Sequence, residues 1–184
     1  MRSAGLHPHP ETPDGAVDAI EAAVHRGPGG VLTLSFLVTG RIELLRIPPR
    51  AAPIRTDELW KHTCFEAFLR APGSDAYVEL NLSPSSQWAA YAHSGYRERA
   101  PDPATPAPFI DADGGRTRFE LRASVDVSRL PGLPADAPWR VGLSAVIEAA
   151  DGRRTYWALA HPPGQPDFHH ADAFALTLPP ADPQ

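Results

Sequence analysis

Two nearby segments of the sequence, residues 59–69 and 77–84, carry a high density of side chains that can bind ligands or protons. Every second position supplies an aromatic ring, an imidazole, a thiol, an amide or a carboxylate: Trp60, His62, Cys64, Glu66, Tyr77, Glu79 and Asn81. Aromatic rings stack on the apolar C–H faces of sugars, and carboxylates and amides bind the hydroxyl groups. Two neighbouring carboxylates could also hold a cation or share a proton. We interpret this set as a candidate binding face; the alternative is a solvent-exposed or arginine-paired face that binds nothing.

The alternation of polar and apolar residues predicts that both segments are β-strands, because successive side chains of a strand point to opposite faces. Residues 72–75, Pro-Gly-Ser-Asp, predict a turn that joins the strands into an antiparallel hairpin. Glu66 and Glu79 then fall nearly opposite each other on the candidate binding face. The intervening apolar residues form the buried face: Phe65, Ala67, Leu69, Val78, Leu80 and Leu82.

Similar patterns along the rest of the chain predict about ten strands. They cover residues 17–24, 31–38, 41–47, 62–69, 77–82, 87–93, 117–125, 139–147, 155–160 and 174–178. Residues 16–26 fit helical spacing as well, so a helix is the alternative there. The 22 prolines cluster between the predicted strands and argue against long helices. An all-β antiparallel sandwich or barrel of one domain, residues 1–184, follows, with residues 1–15 and 179–184 expected as flexible ends.

The composition argues against several classes of partner. The formal net charge is −5, and no run of Lys or Arg supplies the basic face that nucleic-acid binding requires. No apolar run reaches the roughly 20 residues of a membrane-spanning helix, and residues 1–10 lack the apolar stretch of a signal peptide. We therefore expect a cytoplasmic protein without nucleic-acid or membrane partners. Cys64 is the only cysteine, so no internal disulfide can stabilise the fold.

Several segments resemble the bacterial DOMON-like proteins, which are related to family 9 carbohydrate-binding modules. They are residues 55–69, 77–85, 88–91, 95–97, 142–148, 156–162 and 166–170. The resemblance implies an immunoglobulin-like, jelly-roll-like β-sandwich that binds a small molecule, foremost a carbohydrate, and catalyses no reaction. Modules of the related family hold a sugar between tryptophans, and Trp60, Trp88 and Trp157 are the possible equivalents in this sequence.

Two cofactors are alternatives to a sugar. Haem-binding DOMON domains use a Met/His axial pair, but Met1 is the only methionine, which leaves bis-His or His/Cys ligation. A divalent metal ion is the other alternative, because imidazoles and carboxylates cluster in a Pro-rich stretch near the C-terminus. These residues are His161, Asp167, His169, His170 and Asp172, and their spacing matches no standard metal-binding motif.

The sequence gives little support for catalysis. Glu66 and Glu79 could in principle act as a glycosidase pair, and Cys64 with His62 as a thiolate–imidazole pair. The sequence contains no nucleophile elbow, no phosphate-binding glycine loop and no His-Glu-x-x-His motif. A structural or protein-interaction role is a further alternative, because an exposed strand edge or apolar patch can mediate association.

Overall fold

The computed structural model describes residues 1–12 and 15–181, and it shows an all-β antiparallel sandwich, as predicted. The described residues form twelve strands: β1 (Arg2–Pro8), β2 (Val17–Arg26), β3 (Val31–Gly40), β4 (Cys64–Arg70), β5 (Tyr77–Leu82), β6 (Trp88–Gly95), β7 (Glu98–Arg99), β8 (Phe109–Gly114), β9 (Arg118–Asp126), β10 (Trp139–Glu148), β11 (Arg154–Ala158) and β12 (Leu176–Leu178). Helical structure in these residues is restricted to the short 3₁₀ turns Pro28–Gly30, Ile42–Leu44, Leu59–Lys61 and Ala171–Ala173.

The first sheet has the strand order β1-β2-β3-β9-β8. Buried and more exposed residues alternate along its strands. In β9, for example, Phe119 and Leu121 are buried, whereas Arg118 and Arg122 are exposed. This alternation is typical of an antiparallel sheet with one face on the core and the other in solvent.

The second sheet has the order β7-β6-β5-β4-β10-β11, and β12 also pairs with β10. Nearly every residue of β4, β5, β6 and β10 is buried, whether its side chain points to the inner or to the outer face of the sheet. Both faces of this sheet are therefore covered. The inner face packs on the first sheet, and the chain that follows β11 covers part of the outer face.

Strand β1 connects the two sheets. Its first residues, Arg2 to Leu6, pair with β2, and its last two, His7 and Pro8, pair with β11. Residues 2–8, which fall in the N-terminal end expected to be flexible, thus form a paired strand. Only Leu6 is well buried in this strand, so its sequence carries almost no alternation. Of the flexible C-terminal end predicted for residues 179–184, residues 182–184 lie outside the described residues.

The core lies between the two inner faces. Phe65 of β4 is fully buried between Phe36 of β3 and Phe119 of β9, with ring centroids 5.0 and 6.1 Å apart. All six residues assigned to the buried face of the predicted hairpin belong to this core: Phe65, Ala67, Leu69, Val78, Leu80 and Leu82. The predicted parity of β4 and β5 is therefore confirmed.

Residues 41–47 were predicted as a strand, and this prediction was wrong. They form the 3₁₀ turn Ile42–Leu44 and a single bridge between Leu45 and Ala149. Gly40 ends β3 with a φ of 146°, where a Cβ would lie 2.2 Å from the carbonyl oxygen of Ala16. The chain thus leaves the sheet at a position that only glycine can occupy.

The strand prediction for residues 17–24 is confirmed, whereas some other segments differ from the prediction. Residues 17–26 form β2, so the helix alternative for this segment was wrong. The last strand begins at Leu176, because Phe174 closes a 3₁₀ turn. The sequence pattern predicts neither β7 nor β8; β8 contains Asp111 and Asp113, which disfavour strands. Within residues 1–12 and 15–181, no helix has the length and apolar character of a membrane span.

Candidate ligand-binding cleft

The outer face of the second sheet carries much of the polar set predicted from the sequence. Glu66 of β4 and Glu79 of β5 lie on it, and Phe68 packs there in a small apolar cluster separate from the main core. Phe168 and Phe174, from the segment after β11, contact Phe68 with ring centroids 6.5 and 6.1 Å apart. Because these rings cover the outer face, the outward-pointing side chains of β4 and β5 are buried as well as the inward-pointing ones.

A cleft with a volume of about 740 Å³ opens on this face. Four aromatic side chains line it: Trp60, Tyr91, Tyr156 and Phe168. Carboxylates and imidazoles line it as well: Glu66, Glu79, His93 and His169. Its volume is within the range typical of small-molecule sites, about 300–1,000 Å³. The cleft therefore combines ring surfaces with hydrogen-bonding groups, which is the chemistry expected of the candidate binding face.

Glu66 and Glu79 do not lie directly opposite each other, which corrects the predicted register. The partner of Glu66 across the ladder is Asn81, and the partner of Glu79 is Phe68. The chain between β4 and β5 is closed by the pair Arg70–Tyr77, and this pair shifts the register by two residues. The two carboxylates are therefore diagonal neighbours on one face.

The two carboxylates have different partners. Both are buried, with 3% and 6% of Glu66 and Glu79 exposed. Glu79 accepts a hydrogen bond of 2.6 Å from the amide of Asn81, and its Oε2 lies 3.1 Å from Nε2 of His93. The Oε1 atom of Glu66 is buried and has no hydrogen-bond partner among the described residues.

These surroundings move the two pKa values in opposite directions. Burial, and secondly the charge of Glu79, raises the pKa of Glu66 well above its usual value. Burial opposes ionisation of Glu79 too, but the hydrogen bond from His93, the nearby imidazole of His169 and the hydrogen bond from Asn81 outweigh it and lower the pKa of Glu79. Glu79 is therefore the carboxylate that carries the negative charge at neutral pH.

Two histidines and a tyrosine surround Glu79. The ring of His93 stacks on Tyr77 at a centroid distance of 4.4 Å, and Nδ1 of His169 lies 2.8 Å from the Tyr77 hydroxyl. The same hydroxyl accepts a 3.1 Å hydrogen bond from the backbone N–H of Arg97. Burial lowers the pKa of His169 to about 4, so its imidazole is neutral at neutral pH.

His93 was not among the residues predicted for the site, although a signal for it exists. It belongs to the predicted strand 87–93, and it lies directly across the ladder from Tyr77. The register of the β5–β6 hairpin, combined with strand parity, places His93 on the face of Tyr77 and Glu79.

Trp60 and His62 precede β4 and do not lie on a strand. Trp60 belongs to the 3₁₀ turn Leu59–Lys61, lines the cleft and is 43% exposed. The side chain of His62 is 61% exposed and outside the cleft lining, where its Nδ1 lies 2.7 Å from Oε2 of Glu148. The structure therefore keeps Trp60 at the candidate site and separates His62 from it.

Trp88 and Trp157 are placed in the main core, which corrects their assignment to a ligand-binding face. Trp88 pairs with Leu82 and shares its inward orientation, and Trp157 donates a 3.1 Å hydrogen bond from Nε1 to Thr155. They are only 7% and 3% exposed. Neither ring lines the cleft, because both side chains point to the inner, apolar face of the sheet.

The residues predicted as metal candidates are largely separated in space. Only His169 joins the cleft floor. Nε2 of His161 lies 2.8 Å from the backbone carbonyl of His7. His170 accepts a 3.2 Å hydrogen bond from the N–H of Asp172 at the 3₁₀ turn Ala171–Ala173, and both side chains are exposed. Their proximity in sequence reflects this turn.

Hydrogen bonds and ion pairs connect the residues at the rim of the cleft. The hydroxyl of Tyr91 donates a 2.8 Å hydrogen bond to Asp57, and the guanidinium of Arg99 lies 4.0 Å from the ring centroid of Tyr91. Arg97 pairs with Asp167 at 2.8 Å. The contacts of Tyr91 with Asp57 and of Arg97 with Asp167 join segments that are distant in sequence, and no local motif indicates them.

Comparison with known proteins identifies the fold. No family model matches the sequence, and no curated protein matches it. Among solved structures, a candidate carbohydrate-binding protein from Bacteroides uniformis has a TM-score of 0.67 at 16% identity, covering 96% of this chain and 85% of that chain.

A family 9 carbohydrate-binding module from Caldicellulosiruptor kristjanssonii gives a second match. Its complex with glucose has a TM-score of 0.60 at 9% identity, covering 90% of this chain and 78% of that chain. Its complex with cellotriose has a TM-score of 0.60 at 8% identity, covering 90% and 76%. The chain thus has the β-sandwich fold found in family 9 carbohydrate-binding modules.

Proposed function

We propose that the protein is a non-catalytic carbohydrate-binding domain and that the cleft on the second sheet binds the sugar. The observation that carries this proposal is the position of Trp60, a half-exposed aromatic ring beside a cleft lined with carboxylates, arginines and imidazoles. Such a ring offers a flat apolar surface to a sugar, while the neighbouring polar groups bind its hydroxyls.

The charged groups of the cleft suit a neutral or amphiphilic sugar better than a strongly charged ligand. Arg97 and Arg99 each pair with an aspartate at the rim, Asp167 and Asp102 respectively. Most local charge is thus compensated within the protein, and its donors and acceptors are held in fixed positions. Pre-positioned groups of this kind lower the entropic cost of binding.

The surroundings of the carboxylates support binding rather than catalysis. Glu79 is held by Asn81 and His93, and these hydrogen bonds stabilise its ionised form. Glu66 lines the cleft, but its side chain is almost completely buried, with 3% exposure. In a glycosidase both carboxyl groups flank the scissile bond, whereas here Glu66 is withdrawn from solvent and Glu79 is bound by Asn81 and His93.

Calorimetric titration of the untagged protein tests the proposal. The ligands are glucose, cello-oligosaccharides, xylo-oligosaccharides and muropeptides, and the comparison variants are Trp60→Ala and Phe109→Ala. Phe109 is 67% exposed on β8 of the other sheet, so it controls for loss of a surface ring. We expect Trp60→Ala to weaken binding by about tenfold, the equivalent of one aromatic contact, and Phe109→Ala to leave it unchanged.

Two results would overturn the proposal. One is the absence of heat with every sugar at millimolar ligand. The other is equal weakening by Trp60→Ala and Phe109→Ala, which would place the sugar away from the cleft.

A further inference from the structure

The floor of the cleft contains an arrangement that sugar binding does not require. Glu79, His93 and His169 bring one carboxylate oxygen and two imidazole nitrogens within 4.8 Å of one another. The three residues come from β5, from β6 and from the segment between β11 and β12. Three separate elements of the fold therefore converge on one point with three potential metal ligands.

The separations between these atoms are compatible with a coordinated ion. Nε2 of His93 lies 3.1 Å from Oε2 of Glu79, and Nε2 of His169 lies 4.0 Å from the same oxygen. Zinc–nitrogen and zinc–oxygen bonds in a tetrahedral site separate two ligand atoms by roughly 3.3–3.6 Å. The two separations bracket this interval, so small side-chain rotations would bring the atoms into coordinating positions.

Tyr77 positions both imidazoles. Its hydroxyl lies 2.8 Å from Nδ1 of His169, which leaves Nε2 of that ring directed toward Glu79. Its ring stacks on His93 with planes 8° apart. Metal-binding histidines commonly use their second ring nitrogen in this way, because the hydrogen bond fixes the tautomer and the orientation of the ring.

Glu66 gives an independent indication of a cation. Its side chain is buried, lines the same cleft, and leaves Oε1 without a hydrogen-bond partner in the part of the chain that the structure describes. A buried acceptor without a partner costs about 1–3 kcal/mol, and more when it is charged. A divalent cation near Glu79 would offset this cost by stabilising the ionised form of Glu66.

We propose that Glu79, His93 and His169 form a binding site for a divalent first-row transition-metal ion at the floor of the cleft. Two imidazoles and one carboxylate are the donor set of three-ligand zinc sites, which keep a further position open. Calcium and magnesium prefer all-oxygen sites, so this donor set disfavours them. The proposal does not depend on sugar binding.

Metal titration of the untagged protein tests this site directly. The protein is treated with EDTA, dialysed, and titrated with zinc chloride by calorimetry, and bound metal is counted by elemental analysis. We expect about one zinc ion per chain. The variants Glu79→Gln and His169→Ala should each lower the affinity by more than about tenfold, because removing a ligand costs at least as much as removing a second-shell group.

The variants His161→Ala and His170→Ala are matched controls, because each removes one imidazole outside the three-residue cluster. Both should bind zinc like the unaltered protein. Cobalt titration gives a second readout, in which the d–d absorption of a four- or five-coordinate ion should be seen with the unaltered protein and lost with His169→Ala. Circular dichroism confirms that each variant is folded.

Three outcomes would overturn the proposal. The unaltered protein could fail to retain zinc after dialysis. Zinc affinity could be lost in the His161→Ala or His170→Ala variant while the cluster variants bind normally. Cobalt could give only the weak spectrum of a six-coordinate, hydrated ion.

Discussion

Glu66 and Glu79 are diagonal neighbours on the same face of the second sheet, yet the surroundings of their carboxylates differ. Asn81 and His93 bind Glu79, whereas Oε1 of Glu66 is buried without a partner among the described residues. The same burial therefore has opposite consequences for the two residues. One is a stabilised anion, and the other prefers to keep its proton.

We expect Glu66→Gln to stabilise the metal-free protein at neutral pH. The folded state raises the pKa of Glu66, chiefly through burial, so it binds the proton more tightly than the unfolded chain. Stability therefore falls as the pH rises above the unfolded value of about 4.3. Glutamine cannot ionise, so the gain should be about 1–3 kcal/mol near pH 7 and should shrink toward pH 4.

Urea denaturation in EDTA at the two pH values measures this difference. A variant that is less stable than the unaltered protein at both values would show that the carboxyl of Glu66 makes a favourable interaction instead.

We expect Cys64 to resist alkylation in the folded protein. Its side chain is fully buried, and burial together with the charge of Glu66 raises the pKa of the thiol well above its usual value. The reactive thiolate is therefore scarce at neutral pH. Mass spectrometry after iodoacetamide treatment should show modification in guanidinium chloride and almost none in native buffer. Fast labelling of the folded protein would revive the thiolate–imidazole interpretation of Cys64 and His62.

Phe65→Ala should destabilise the sandwich by about 3–5 kcal/mol, because it opens a cavity between the two sheets. Phe65 is fully buried against Phe36 and Phe119. Phe109→Ala removes the same side chain from an exposed position and should change stability by less than about 0.5 kcal/mol. Thermal denaturation of both variants gives the comparison, and equal losses would contradict the assignment of Phe65 to the core.

Tyr77→Phe should weaken zinc binding about 10–100-fold without abolishing it, since the lost hydroxyl holds Nδ1 of His169. Tyr91→Phe is the matched control, because its hydroxyl also borders the cleft but donates to Asp57. The same zinc calorimetry serves for both variants. If Tyr77→Phe binds zinc with unchanged affinity, the Tyr77 hydroxyl does not position His169 for metal binding.

Strand parity was the part of the site that the sequence could predict. Cys64–Arg70 and Tyr77–Leu82 alternate cleanly, so the apolar side chains of β4 and β5 were assigned to the correct face. Parity alone does not determine register, which depends on the residues that close the turn. The pair Arg70–Tyr77 closes it, and this pair moved Glu66 opposite Asn81 rather than Glu79.

The two misplaced tryptophans show that parity was applied too narrowly. Trp88, Ala90 and Ala92 alternate in β6 in the same way as the core residues of β5, and this pattern places Trp88 inside. The same reasoning applies to Thr155 and Trp157 of β11. The position of a tryptophan in a strand is therefore predicted more reliably from the apolar residues on the same face than from the ability of its ring to stack on sugars.

The position of His169 at the floor of the cleft could not be predicted from the alternation of residues in strands. It lies in a segment without regular structure, and its position depends on the packing of Phe168 and Phe174 against Phe68. These are long-range contacts, which no local periodicity encodes. The neighbouring His170 resembles it in sequence but contributes to a 3₁₀ turn instead.

The segment between β11 and β12 that covers the outer face also sets the order in which the cleft can be assembled during translation. Glu79 and His93 leave the ribosome well before His169, Phe168 and Phe174. A nascent chain can therefore form the β4–β5 and β5–β6 hairpins while the cleft still lacks its aromatic cover and third imidazole. Loading of any ligand that requires all three elements must wait until the chain has been synthesised beyond β11 and has folded back.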